Sequence, residues 1–303
     1  MSKPTTPARQ PTRADWLRYV MLIVLWGSAF SLSKISVAEL PPSIITAARI
    51  WIAIGLLYGW MVYRKHKLPV LFPKPDIRWA WLLPIGITGA ALPFWLNTWA
   101  MQTLDSGLVS ILLACMPLMV AVLAHFSIAG DRMTANKIAG LALGLFGIIL
   151  LVGPAALRGL GGPDTVAQFV ILVSALLYAT NSILIHFMPE TPPSVSSAGM
   201  LLIAGLVLVP LAILDAGQTS MPSVGVMFAV LFLGLGVTGF GSIIYMQIIR
   251  SAGPSFMVTA NYFVPPFAVF IGVLFLGESP SIWAYAALFI ITLGIILERR
   301  KSK

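Results

Sequence analysis

Residues Leu112 to Asp131 read LLACMPLMVAVLAHFSIAGD, and Ala260 to Glu278 read ANYFVPPFAVFIGVLFLGE. Each is an apolar run of membrane-spanning length with proline in its first third and a Gly-acid pair at its end. Pro117 aligns with Pro265, and Gly130-Asp131 falls within a residue of Gly277-Glu278. A last apolar segment follows each run and ends in Gly-Ile-Ile-Leu, at Gly147 to Leu150 and again at Gly294 to Leu297. A membrane half that occurs twice is the pattern of a carrier built from two repeats around a central site.

Composition agrees with a bilayer setting. Of 303 residues, 58% are hydrophobic and 10% charged, against about 25% charged in soluble domains. Such a chain cannot cover itself with a polar surface. The net charge of +9 does not indicate nucleic acid, because the cations sit in short clusters beside apolar runs and form no basic face. The first apolar run, Trp16 to Val37, exceeds a signal h-region and lacks a small-residue cleavage pattern, so it is expected to remain as a span. Cys115 lies alone in an apolar segment, with no Cys or His at ligand spacing, so no disulfide, metal or cofactor is expected.

Backbone groups in hydrocarbon must be hydrogen-bonded within their own segment, and a spanning helix needs about 20 apolar residues. Ten stretches qualify: Trp16 to Val37, Pro42 to Tyr63, Trp79 to Met101, Ser106 to Ile128, Thr134 to Leu151, Val166 to Met188, Val195 to Leu214, Val224 to Ile249, Pro254 to Leu276 and Pro280 to Leu297. Turn residues such as Pro41-Pro42, Asp105-Ser106-Gly107, Pro192-Pro193 and Gly277-Glu278-Ser279-Pro280 mark the cuts. With the N-terminus in the cytoplasm, every Lys and Arg except Lys34, Arg49 and Arg158 falls on the inner side. The positive-inside rule then puts both termini in the cytoplasm. Five spans per repeat is an odd number, so the second half enters the membrane upside down. The expected fold is an all-α integral membrane protein of ten transmembrane helices, arranged as two inverted five-helix repeats around a central cavity. The divisions are a cytoplasmic segment 1–15, a first repeat 16–152, an outer linker 153–165, a second repeat 166–297 and a cytoplasmic tail 298–303.

Several features resemble the drug/metabolite transporter superfamily, in particular its ten-helix EamA-type branch. They are Trp26-Gly27-Ser28-Ala29-Phe30, the Pro41-Pro42 entry to a helix bearing Arg49, Pro117 with Gly130-Asp131, and their second-half partners Pro265 and Gly277-Glu278. The likeness runs from Trp16 to Leu297. It departs at Asp131, where the family more often has Glu. Within that branch the overall pattern looks most like the YddG-type exporters of aromatic and other amino acids. The resemblance implies a basket-like bundle in the inner membrane, its cavity opening alternately to the two sides to move small metabolites outward.

In an inverted-repeat carrier the substrate sits near the bilayer midplane, so mid-helix polar and aromatic residues near Gly or Pro are the candidates. The third span is richest, with Pro84, Gly86, Gly89, Pro93, Trp95, Asn97 and Trp99. Trp95 and Trp99 are four apart and share a face, fit to stack on a substrate side chain or to lie in an interfacial belt. Trp26 and Ser28 in the first span match Tyr178 and Thr180 in the sixth, beside Asn181; the hydroxyls equally fit bonds to their own helix carbonyls. The eighth and ninth spans add Tyr245, Asn261 and Tyr262, and Pro93, Pro117 and Pro265 are hinge candidates. Arg49 is the one strongly charged group well inside a span, either structural or facing an anion such as a substrate carboxylate. Gly140 and Gly144 form a GxxxG packing face, internal or dimeric.

All ten acids fall at predicted helix ends or in loops, so no acid at depth offers proton exchange of the small multidrug-resistance kind. His125 and His186 lie near helix ends. Three readings follow. The first is export of neutral amino acids or similar metabolites by alternating access, as monomer or homodimer, with the bilayer and a small-molecule substrate as partners. The second is a nucleotide-sugar or drug carrier of the same superfamily. The third, a membrane-embedded enzyme, lacks an Asp pair, an HExxH or a Ser-His arrangement.

Overall fold

In the computed structural model, residues 11–128, 134–158, 163–217, 219–252, 257 and 260–299 are described. They form helices throughout: α1 (Arg13–Val37), α2 (Pro42–Tyr63), α3 (Arg78–Gly86), α4 (Leu92–Ala100), α5 (Ser106–Leu113), α6 (Met116–Ser127), α7 (Ala135–Arg158), α8 (Pro163–Phe187), α9 (Pro193–Ala216), α10 (Val224–Phe232), α11 (Gly241–Ala252), α12 (Ala260–Leu276) and α13 (Ile282–Arg299). Two π-helical segments, Ile87–Ala91 and Leu233–Phe240, join α3 to α4 and α10 to α11 without a turn between. Among the described residues, seven helices are long and apolar enough to cross a membrane, with Phe263–Leu276 and Ile282–Leu297 as shorter apolar helices. Asp131 and its neighbours lie outside the described residues.

The predicted segments all hold helix, with local differences. The fourth, expected as one run, is two helices parted at Ala114-Cys115. The cause is Pro117: it has no N–H, and its ring would strike the carbonyl four residues back. That residue is Leu113, where α5 ends, and Pro117 sits in the first turn of α6, where an N–H is not needed. Pro265 and Pro266 instead lie inside α12. In the third segment Pro93 faces the same constraint from Gly89, and the wider π turn around Gly89 accommodates it. The offset that aligns Pro117 with Pro265 carries Ile87–Ala91 onto residues 235–239, inside the second π segment. The fifth helix is longer than expected and reaches Arg158.

Lipid tails are as apolar as leucine, so helices in a bilayer associate through close packing of small residues more than through hydrophobic burial. The packing here follows that logic. Phe126, Phe169, Phe228, Phe263 and Phe289 point outward, whereas Ala53, Ala90, Ala91, Ala204, Ala268 and Ala287 are buried. One core joins α2, α4 and α9 through Ile50, Leu57, Phe94, Leu201 and Leu208, and another joins α5 and α6 to α12 and α13 through Ile111, Leu118, Val269 and Ile291. The GxxxG of α7 is an internal face: a Cβ on Gly294 of α13 would stand 2.6 Å from the Gly140 carbonyl oxygen and 3.0 Å from the Gly144 nitrogen.

Carboxylates join the two halves at the end of the bundle where α1 passes into α2. Glu278 accepts from the Ser106 and Gly107 N–H groups at 2.8 and 3.1 Å, capping α5. Glu39 accepts from the N–H and hydroxyl of Ser223, at 2.6 and 2.7 Å, just before α10. The Ser43 hydroxyl donates to Asp215. Anionic groups at helix N-termini are stabilised by the free N–H groups and the helix dipole. Lys34 donates to the Met101 and Leu104 carbonyls, both at 2.8 Å, and so occupies the acceptors left open at the end of α4.

Candidate functional site

The groups that hydropathy cannot explain converge where α1, α2, α4, α8 and the second π segment meet. Arg49 is 6% exposed. Its Nε and Nη2 both donate to the Thr238 hydroxyl, at 3.1 and 2.9 Å, and its Cζ lies 4.3 Å above the centre of the Phe94 ring. Gly234 makes this contact possible, since a Cβ there would stand 2.6 Å from Ile52 and 3.0 Å from the Arg49 carbonyl oxygen. Among the described residues no carboxylate pairs with Arg49; ion pairs form instead between Arg18 and Asp15 and between Arg78 and Asp76, both near helix starts. A charge held at depth against one neutral hydroxyl and one ring costs about 2.5–3.5 kcal/mol on insertion scales, which packing must offset.

Asn97 lies one turn beyond Phe94. It is 8% exposed, and its Oδ1 is buried without a hydrogen-bond partner. The Tyr178 phenol of α8 interacts with both the Asn97 side chain and the Arg49 charge. Trp26 pairs with Tyr245, ring centres 5.8 Å apart at 36°, and the Ser242 hydroxyl returns to the Thr238 carbonyl at 2.5 Å. Thr238, Ser242 and Tyr245 therefore run along one stripe of the π segment and α11.

The structure groups Arg49, Asn97 and Tyr178, and separately pairs Trp26 with Tyr245, two turns along the helix from Thr238. Trp95 packs on the α2–α9 core, whereas Trp99 packs among Met101, Val109 and Ile171, so the two indoles serve different clusters. Ser28 donates to the Leu25 carbonyl at 3.0 Å and Thr180 to the Leu176 carbonyl at 2.9 Å, the local bonds that short hydroxyl side chains favour in helices. Asn181, 8% exposed, spends its Nδ2 on the Ile85 carbonyl at 2.9 Å. Pro93 and Pro117 sit at helix junctions, and Pro265 sits within a helix. The side chains of Asn261 and Tyr262 lie outside the described residues. Sequence reasoning missed Thr238 and Phe94. The Thr-Ser-Tyr stripe at positions 238, 242 and 245, in an otherwise apolar stretch, was the available signal for the first. Nothing local marked Phe94.

A helical bundle that shows phenylalanine to its surroundings and gathers a guanidinium, an amide and aromatic rings inside is a multi-pass membrane protein with an internal polar site. The chain belongs to the EamA-like transporter family, which it matches over residues 16–153 and 165–298; it is a membrane transporter. It is similar to the uncharacterized inner membrane transporter YedA of Escherichia coli K12, 29% identical over 91% of this chain and 87% of that one. It is also similar to the probable terminal-alkyne amino-acid exporter of Streptantibioticus cattleyicolor, 25% identical over 96% of this chain and 95% of that protein. A solved crystal structure, 20% identical, covers 94% of this chain and 97% of its own with a TM-score of 0.66, which shows a shared fold.

Proposed function

We propose that this transporter exports neutral amino acids, aromatic ones among them, or similar small amphipathic metabolites across an inner membrane. Ten spans in two inverted five-helix repeats, residues 16–152 and 166–297, rock about the Arg49–Asn97–Tyr178 site with both termini in the cytoplasm. The observation that carries the reading is the Arg49, Asn97 and Tyr178 cluster, a guanidinium, an amide and a phenol drawn from both halves into the interior of an apolar bundle, with the Trp26–Tyr245 pair on the helices beside it. Matched π segments in the third and eighth spans support the repeat, because interrupted helices at corresponding positions are how such carriers build a midplane site. The relative described as a probable terminal-alkyne amino-acid exporter supports the substrate class.

Proteoliposomes test it. Purified protein reconstituted with labelled Thr, Met and Phe is expected to give saturable flux with counterflow. Flux no greater than in protein-free vesicles for all three overturns the reading.

A further inference from the structure

Arg49 offers five N–H donors in one plane, and among the described residues its side-chain hydrogen bonds run from Nε and Nη2, both to the single hydroxyl of Thr238. A hydroxyl supplies a dipole where a buried guanidinium calls for a charge. Phe94 lies against one face of the group. Stacking of that kind leaves the guanidinium edge available for in-plane, two-pronged bonding to a carboxylate.

The second pole is Asn97. Its Oδ1 is buried and without a donor, an arrangement that costs about 1–3 kcal/mol unless something binds there. Phe94 and Asn97 are three residues apart on α4 and so share a helix face, which sets the orphan acceptor beside the ring that carries Arg49. The Tyr178 phenol interacts with both groups. One small region therefore holds an under-used cationic donor and an unused neutral acceptor.

We propose that Arg49 and Asn97 form a seat for a zwitterion, the guanidinium taking the carboxylate and the Asn97 Oδ1 taking the ammonium group of an α-amino acid. This rests on the exporter reading and specifies what the substrate must carry: both charged groups on one carbon, with the side chain left to the Trp26–Tyr245 pair. A plain amine meets the repulsion of Arg49 and a plain carboxylate leaves Asn97 unsatisfied.

The test uses three probes that differ only in these groups: L-phenylalanine, 3-phenylpropanoate and phenethylamine. Each is titrated into the purified protein in lipid nanodiscs, read by intrinsic tryptophan fluorescence and thermal stabilisation, and phenylalanine flux is followed in parallel. The wild-type protein is expected to bind phenylalanine at least about 10-fold more tightly than phenethylamine, a factor that ~1.4 kcal/mol represents, with 3-phenylpropanoate between them. Arg49→Gln removes the preference for carboxylate-bearing probes, Arg49→Lys weakens it because the planar fork is lost, and Asn97→Leu brings phenylalanine down to 3-phenylpropanoate. The wild-type ranking decides the matter even if a variant fails to fold. Equal binding of phenylalanine and phenethylamine, with phenylalanine still transported, overturns the seat and leaves the exporter reading standing. Tight, selective binding without flux supports the seat and overturns the exporter reading. No binding of phenylalanine overturns the seat.

Discussion

The Asn181 Nδ2 of α8 donates to the Ile85 carbonyl of α3 across 2.9 Å, just before the helix widens into its π turn. Gly89 makes room for it, since a Cβ at that position would lie 2.5 Å from the same nitrogen. A carbonyl beside a distorted turn in the bilayer must find a donor, and α8 supplies one.

Replacing Asn181 with Ala leaves that carbonyl without its donor. The expected loss is about 1–2 kcal/mol, the scale of an interhelical hydrogen bond or an orphaned buried acceptor. Gly89→Ala should act through the same contact by displacing the amide, so the double variant should lose little more than the worse single variant. Thermal unfolding of the four proteins in one detergent measures this; additive losses would separate the two positions.

Glu278 caps α5 across the two halves through the Ser106 and Gly107 N–H groups. Glu278→Gln keeps an acceptor but loses the charge, whereas Glu278→Ala loses both. Midpoints should fall in the order Glu, Gln, Ala, with the alanine variant down by about 1–2 kcal/mol. Equal midpoints for Glu and Ala would show that the cap contributes nothing.

Asp105 sits in the same cleft as Lys34 and Glu278. Burial first, then the Glu278 charge, raises its carboxyl above the ordinary aspartate value of 3.8, with Lys34 opposing. The sign runs opposite to that of a well-paired acid. A raised value in the folded protein means that folding favours the protonated form, so this contribution is largest below the unfolded value and fades as pH climbs through the folded one. Asp105 makes no side-chain cap bond to α5, so Asp105→Asn gives up no cap. The variant should melt above wild type at neutral pH, and the gain should vanish on acidification below the unfolded aspartate range. A variant that melts lower at neutral pH would contradict this.

Gly294→Leu tests the contact of α13 with α7. Its Cβ would meet the Gly140 carbonyl oxygen at 2.6 Å, a backbone atom that cannot rotate away. Overpacking of this kind costs about 1–3 kcal/mol. The variant should lose stability by that amount or fail to accumulate in the membrane, as read by fluorescence-detected size exclusion. Unchanged yield and melting would show that the two helices part readily.

The helices were legible because each is a local property of 20 or so consecutive residues, and seven of them among the described residues have the length and apolarity of a span. Pro117 stood out as a hinge candidate within a run expected to be unbroken, and only the structure shows that α5 stops at the residue its ring would strike. The site was only half legible. Trp26, Asn97, Tyr178 and Tyr245 stood out as polar or aromatic groups in apolar runs, and Arg49 as an intramembrane charge. Which of them meet depends on how α2 packs against the second π segment, and no local pattern encodes that contact. For the same reason no local pattern foretold that Trp95 and Trp99, on one helix face, would be claimed by two separate cores.

A π turn holds more residues than the α turn it replaces. Ile87–Ala91 and Leu233–Phe240 therefore have slack that the rest of the bundle lacks. Elsewhere in a span, deleting one residue would swing everything beyond it by about 100° and turn lipid-facing phenylalanines inward. Inside these two segments a deletion could be absorbed by tightening the coil, with Asn97 and Tyr245 keeping their headings. Among the described spans these two segments are the ones expected to tolerate a change in length, and both stand within two turns of the residues that make the interior polar.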